Sequence, residues 1–145
     1  MYELTRRWVR DGMEVEIITA PYEKSDIKSS GMISHQQIEG IKLTIINSAD
    51  NNRLPKYKRF WRAMIFASFS VFFALTKKYD LILSSSGPIS VGLPLVMAKI
   101  FRRKKTIFEV RDLWPWGGIE MGLITNKIMK KLGLWFEKIC YKKSD

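Results

Sequence analysis

Apolar positions recur with two different periods along this chain, and these periods predict a mixture of helices and strands. A period of three to four residues predicts helices over 1–11, 59–78, 89–103 and 126–143, with a short helix reaching Met121. Shorter apolar runs predict strands over 13–20, 80–84 and 105–110, and a small strand or hairpin over 37–47 around Glu39-Gly40. Residues 22–35 are polar without periodicity, which predicts a loop.

The order of these elements predicts an α/β fold. Strands that alternate with helices favour right-handed β-α-β units and a parallel sheet. The segment 80–84 is apolar throughout, as in strands covered on both faces. The chain opens with a helix, where a parallel domain usually opens with a central strand. We therefore expect one domain over 1–145 with an incomplete Rossmann-like parallel sheet, flanked by helices and lacking its first strand.

The residue counts exclude several kinds of site. Cys140 is the only cysteine and His35 the only histidine, which excludes a disulfide scaffold and any metal site built on cysteine or histidine. We expect Cys140 in the core and His35 in solvent. The sequence shows no secretory signal, and its longest apolar run, 63–75, is shorter than the about 20 residues of a bilayer span.

The positive charge is concentrated in one third of the chain. The net charge is +11, and residues 53–105 contain twelve basic residues and one acid. Such a field attracts phosphates, nucleic acid or an anionic membrane. No pattern of a known nucleic-acid-binding fold is present, so we expect no nucleic acid partner. The basic run 102–105 has a simpler explanation as a solvated helix end that complements the helix dipole.

Candidate chemistry follows the predicted strands, because ligands of open α/β sheets bind beyond the carboxyl ends of strands. The turn Ser85-Ser86-Gly87 could offer backbone N–H groups to an anion. The simpler explanation, which we favour for this turn alone, is that Ser86 caps a helix and Gly87 turns the chain.

The second candidate segment, 109–116, follows the last strand. Arg111 can hold a phosphate or carboxylate by two hydrogen bonds, Trp114 can stack on a sugar ring, and Glu109 or Asp112 can act as a base. The alternative is a surface ion pair between Arg111 and Asp112 with Trp114 in the core. From these residues alone the two interpretations are equally good.

Three segments and the last helix resemble one enzyme family. The run 13–22 is similar to the second strand of family 4 glycosyltransferases of the GT-B fold, and 79–88 with Gly92-Leu93-Pro94 resembles their mid-domain strand and turn. The most specific segment, Phe-Glu-Val-Arg-Asp-Leu-Trp-Pro at 108–115, is similar to enzymes of bacterial surface-polysaccharide synthesis. The resemblance covers nearly the whole chain, as the N-terminal, acceptor-side domain.

The resemblance implies a sugar transferase that is incomplete in this chain. The parent enzyme would transfer sugar from a nucleotide-sugar to a lipid-linked or polysaccharide acceptor, without a metal or other cofactor. The first strand and the C-terminal nucleotide-sugar domain are expected to be absent, so this chain alone would be inactive unless a separate chain supplies that domain. Many relatives carry an acid after the proline, where this chain has Trp116.

The resemblance also implies roles for individual residues. Asp112 would be the catalytic residue, and with Arg111 it would orient the acceptor. Glu109 and Trp114 would bind substrate, and Ser86 and Gly87 would form the opposite wall.

A lipid-linked acceptor implies a cytoplasmic protein, peripheral at the inner face of the cell membrane. The residues expected at an anionic membrane surface are Arg59, Trp61, Arg62, Arg102, Arg103 and Lys104. The alternative places the aromatic residues in the core and the charges in solvent. Two other functions remain open: a basic membrane-surface or nucleic-acid-binding module without catalysis, and an inert fragment.

Overall fold

The computed structural model describes residues 2–21, 27, 29–48, 54–86, 89–113, 115–122 and 124–145. The chain divides into two compact units, Met1–Phe66 and Ala67–Asp145. In chain order the elements are α1 (Tyr2–Arg10), β1 (Glu16–Thr19), β2 (Ile33–Ile38), β3 (Ile41–Ile46), α2 (Lys56–Thr76), β4 (Leu81–Ser85), a 3-10 turn (Ile89–Val91), α3 (Gly92–Arg102), β5 (Lys105–Glu109), α4 (Trp116–Glu120) and α5 (Lys127–Lys143).

The first unit contains a three-stranded mixed sheet in the order β1-β3-β2. β1 pairs with β3 in parallel, and β2 pairs with β3 as an antiparallel hairpin. Glu39 and Gly40 form the turn with φ of 49° and 83°, which confirms the hairpin expected around them. The loop predicted over 22–35 is wrong at its end, because β2 begins at Ile33. β2 is mostly exposed, so its sequence carries little of the apolar pattern that identifies a buried strand.

The core of the first unit forms around β3. Ile41, Leu43 and Ile45 are buried, and Val9 and Ile17 are among the residues that pack against them. The helix predicted over 1–11 is confirmed. Its apolar period predicts Met1, Leu4 and Trp8 on one inward face, but Leu4 is exposed while Thr5 is buried. Thr5 can be buried because its hydroxyl donates to the Tyr2 carbonyl, 2.8 Å away.

The long helix α2 crosses the division between the two units. Its buried residues, Ala67, Ser70, Phe73 and Ala74, share one side of the helix. By length and composition alone, the part Tyr57–Thr76 is long and apolar enough to cross a membrane, and 22% of its apolar 18-residue window is buried. This stretch is longer than the apolar run 63–75 because the helix already begins at Lys56.

The second unit is built on the parallel pair β4 and β5, joined through α3. The core residues Leu95, Val96 and Cys140 come from α3 and α5, and Ile82 and Phe108 of the sheet pack against them. The opposite face of the sheet is less covered, with Leu81 and Ile107 exposed.

The α/β class is confirmed, whereas the single parallel sheet is not. The described strands form two separate sheets, and the first is mixed because the β2–β3 hairpin adds an antiparallel edge. In the second unit, the predicted bounds of the helices and strands agree with the structure to within a few residues. The exception is the helix predicted over 89–103, which starts as a 3-10 turn. α5 starts after Asn126, whose side chain accepts hydrogen bonds from the N–H groups of Ile128 and Met129.

Candidate functional site at the carboxyl ends of β4 and β5

Ser86 connects the ends of the two parallel strands. It directly follows β4, is 6% exposed, and donates its backbone N–H to the Glu109 carbonyl at 2.8 Å. Its Oγ accepts the backbone N–H groups of Arg111 and Asp112, at 2.8 and 3.3 Å. We expected Ser86 on a wall opposite these two residues. Instead it binds them directly, because a serine hydroxyl can accept the N–H groups that the β5 ladder leaves free.

Glu109 and Ser85 lie beside each other at the same edge. They are the last residues of β5 and β4 and are paired in register, so their side chains lie on the same face of the sheet. Glu109 Oε2 and Ser85 Oγ are both buried, and neither has a hydrogen-bond partner among the described residues. Leaving such a group unpaired costs about 1–3 kcal/mol. Buried polar atoms of this kind are candidates for binding a ligand.

The side chains of Arg111 and Asp112 are exposed beside this pair. No ion pair joins the two side chains in the part of the chain that the structure describes, so the surface ion pair considered as an alternative is not formed. Both side chains are therefore accessible to a ligand, while their backbone N–H groups are fixed by Ser86. Two predicted site residues, Gly87 and Trp114, lie outside the described residues.

The far end of the segment after β5 is fixed by a close approach to α5. Pro115 is buried, and a Cβ on Gly133 would lie 3.2 Å from its Cβ and Cγ. Only a glycine at position 133 allows the proline to lie this close to the helix without displacement. Ser86 and Gly133 thus position the chain on both sides of Arg111 and Asp112.

The residues predicted at a membrane surface have mixed environments. In the first unit Arg59 and Trp61 are exposed and Arg62 is half-buried. In the second unit Arg102 donates to the carbonyls of Ala74 and Lys77 at the end of α2. The side chain of Arg102 is therefore engaged in capping this helix, a role that the sequence did not suggest.

The ring of Tyr79 makes cation–π contacts with two of the basic residues that were predicted at the membrane surface. The Arg102 guanidinium lies 5.2 Å and the Lys104 ammonium 5.4 Å from the centre of its ring. Desolvation raises the pKa of Tyr79, and the charge of Arg102 opposes this rise. Arg103 is exposed, with the left-handed backbone that ends α3.

Cys140 and His35, the only cysteine and the only histidine of the sequence, lie in different environments. Cys140 is fully buried, as expected, and burial followed by the charge of Glu137 raises the pKa of its thiol to about 11. His35 is exposed, as expected, although its Nδ1 lies 3.1 Å from Thr44 Oγ1. Among the described residues no group of three or more His, Cys, Asp or Glu side chains is placed to hold a metal ion.

Comparison with family models, with curated proteins and with solved structures found no match. The supports for a function are therefore the geometry of the site and the resemblance of its sequence segments.

Proposed function

We propose that this chain is the acceptor-side domain of a glycosyltransferase of bacterial surface-polysaccharide synthesis, with a Rossmann-like half of a GT-B fold. One observation carries the proposal: the polar residues Ser85, Ser86, Glu109, Arg111 and Asp112 lie together at the carboxyl ends of two parallel strands. This is the edge at which α/β proteins bind their ligands. The resemblance of 108–115 to the family covers the same residues.

The polar pair suits a sugar hydroxyl better than a phosphate. One hydroxyl can donate to Glu109 Oε2 and accept from Ser85 Oγ, which pairs both buried atoms. The negative charge of Glu109 would repel a phosphate at this point. Arg111, which is exposed nearby, can hold the diphosphate of a lipid-linked acceptor.

In this proposal Asp112 acts on the acceptor hydroxyl. Its backbone is held by Ser86, so its carboxylate can be positioned to take the proton as the hydroxyl oxygen attacks the sugar. The sugar and its nucleotide leaving group are held by a second domain outside these 145 residues, on the same or a separate chain. In this proposal the residues described here act without a metal, and sugar transfer requires the second domain as well.

The proposed location is the cytoplasmic face of the cell membrane, where a lipid-linked acceptor is accessible. Exposed aromatic residues of α2, with Tyr57, Trp61 and Phe72 among them, are compatible with the interface of an anionic bilayer. The exposed basic residues Arg59 and Arg103 add electrostatic attraction.

A binding titration tests the proposal without turnover. A soluble, short-chain polyprenyl diphosphate sugar should bind the wild-type chain, and Glu109→Gln should weaken binding by about tenfold because a charge-assisted hydrogen bond is lost. Glu120→Gln, on the exposed surface of α4, is the matched control and should bind as the wild type does. Equal affinity of the Glu109→Gln and wild-type chains would contradict the proposed site.

A basic module without catalysis is the second candidate, favoured by the twelve basic residues of 53–105. It predicts binding to DNA or RNA, or to anionic lipid, that falls steeply with salt. A wild-type chain that binds nucleic acid but shows no affinity for the diphosphate sugar would favour this candidate.

A further inference from the structure

The apolar stripe of α5 is buried at one end and exposed at the other. At the C-terminal end Phe136, Ile139 and Cys140 contribute to the core of the second unit. At the N-terminal end Ile128, Leu132 and Trp135 are 69%, 57% and 61% exposed. The spacing of these three residues, four and then three positions, places them on one side of the helix. We call Ile128, Leu132 and Trp135 the α5 ridge.

The helix around the ridge is strongly basic. Lys131, Lys138 and Lys142 share the side of the helix next to the ridge, and Lys127 and Lys130 precede them. Glu137 is the only acid of α5; it is buried and accepts a hydrogen bond from the Tyr141 hydroxyl at 2.8 Å. The exposed surface of α5 therefore carries positive charge without a compensating acid.

We propose that the α5 ridge docks the second unit onto an anionic phospholipid surface. A helix that is apolar on one side and lysine-rich beside it lies in the plane of a bilayer interface, with its apolar side chains in the headgroup region. The lysine stems can follow the apolar surface while their ammonium groups reach lipid phosphates. Trp135 has the amphipathic ring that is enriched at this depth.

A second copy of the chain is a poorer partner for this surface. Packing two α5 ridges together would bring the flanking lysines of both copies close to one another, without an exposed acid on either helix to pair with them. The docking proposal also does not depend on sugar transfer, because it uses none of the residues at the carboxyl ends of β4 and β5.

Flotation with liposomes is the direct test. The wild-type chain should float with vesicles that contain phosphatidylglycerol, bind less to phosphatidylcholine vesicles, and lose affinity at high salt. Replacing Leu132 and Trp135 together by serine should reduce affinity for the anionic vesicles by about tenfold or more. The matched control replaces Met13 and Met32, which are similarly exposed in the first unit, and should keep at least half of the binding. Unchanged binding of the ridge variant, or an equal loss in the control, would overturn the proposal.

A fluorescent label gives a second measurement that leaves Ile128 and Trp135 of the ridge in place. Leu132→Cys can be labelled selectively with an environment-sensitive dye, because the thiol of Cys140 is buried and its pKa is raised to about 11. Anionic vesicles should shift the emission of this dye to the blue, and should shift it less for a label at Lys127→Cys. Equal shifts at the two positions, or concentration-dependent self-association that the Leu132 and Trp135 replacements abolish, would contradict lipid docking.

Discussion

The parallel pairs β1–β3 and β4–β5 have the same strand geometry but different chemistry at their carboxyl ends. β3 ends in Ile45 and Ile46, both fully buried, and the segment after β1 continues into Pro21. β4 and β5 end in Ser85 and Glu109, which have buried polar atoms without partners in the described part of the chain. Parallel pairing by itself therefore does not make a binding site. In our proposal, the polar residues at the end of the β4–β5 pair are what makes that edge a binding site.

The largest expected effect is a loss of stability that is confined to the second unit. A Cβ at Gly92 would overlap Cys140 Sγ and lie 3.5 Å from the ring of Phe108. Gly92→Ala should therefore cost about 3 kcal/mol of unfolding free energy through overpacking. Hydrogen exchange should increase for amides of β4 and β5 and stay unchanged for those of β3.

Two further variants check the cause of this effect. Gly117→Ala, whose Cβ would meet only Met121 at 3.9 Å, should be tolerated. Adding Cys140→Ala to Gly92→Ala should restore part of the lost stability, because the overlapping sulfur is removed. Independent, additive costs of the two substitutions would show that the overlap is not the cause.

The next effect concerns the first unit alone. At Gly40 φ is +83°, and a Cβ would lie 2.8 Å from Val9 Cγ1 of α1. Gly40→Ala should cost about 2 kcal/mol, since the left-handed backbone and the contact both oppose the new methyl group. Gly12→Ala is the matched control, because φ is +85° there but no atom lies within 4 Å. Chemical denaturation should show the smaller loss for Gly12→Ala, and equal losses would exclude a role for the Val9 contact.

A smaller effect on stability tests the hydrogen bonds of Ser86 at the carboxyl ends of β4 and β5. Ser86→Ala removes the acceptor of the Arg111 and Asp112 N–H groups and should cost about 1 kcal/mol. The substitution should also weaken binding of the diphosphate sugar, because Arg111 and Asp112 lose their fixed position. Ser68→Ala, at an exposed position of α2, provides the control. If stability falls but binding does not, Ser86 has only a structural role.

The smallest expected effect depends on pH. The hydrogen bond from Lys99, followed by that from the Thr106 N–H, lowers the pKa of Asp145 below its ordinary value of 3.8. A lowered pKa in the folded state stabilises the protein above the unfolded value, and this contribution is lost as the pH falls through the folded value. Asp145→Asn should thus flatten the acid side of the stability profile, and Lys99→Met should do the same. A profile that keeps its slope in both variants would contradict this link.

Sequence patterns predicted the elements better than their contacts. α5 was predicted over 126–143 from its apolar period, and the structure adds that Asn126 caps it. The start of β2 at 33–36 was missed because β2 is an exposed edge strand, held by backbone pairing rather than by burial. The inward face of α1 was misassigned because Thr5, a polar residue, is buried after satisfying its own hydroxyl.

The candidate site was predicted in part. The pattern of 109–116 singled out Glu109, Arg111 and Asp112, since they follow a strand. It missed Ser85 as a partner of Glu109, because their proximity depends on a register that only strand pairing defines. The role of Ser86 was misjudged for a similar reason: its two hydrogen bonds span 25 and 26 residues of sequence.

The hydrogen bonds of Thr106, the second residue of β5, tie the strand to the last residues of the sequence. Its carbonyl accepts the Asp145 N–H at 2.9 Å, its N–H donates to the Asp145 carboxylate at 2.8 Å, and its hydroxyl donates to the Lys143 carbonyl at 2.7 Å. Trimming the last few residues would leave three hydrogen-bonding groups of a fully buried threonine unmatched. Variants shortened before Lys143 are therefore expected to lose stability in the second unit.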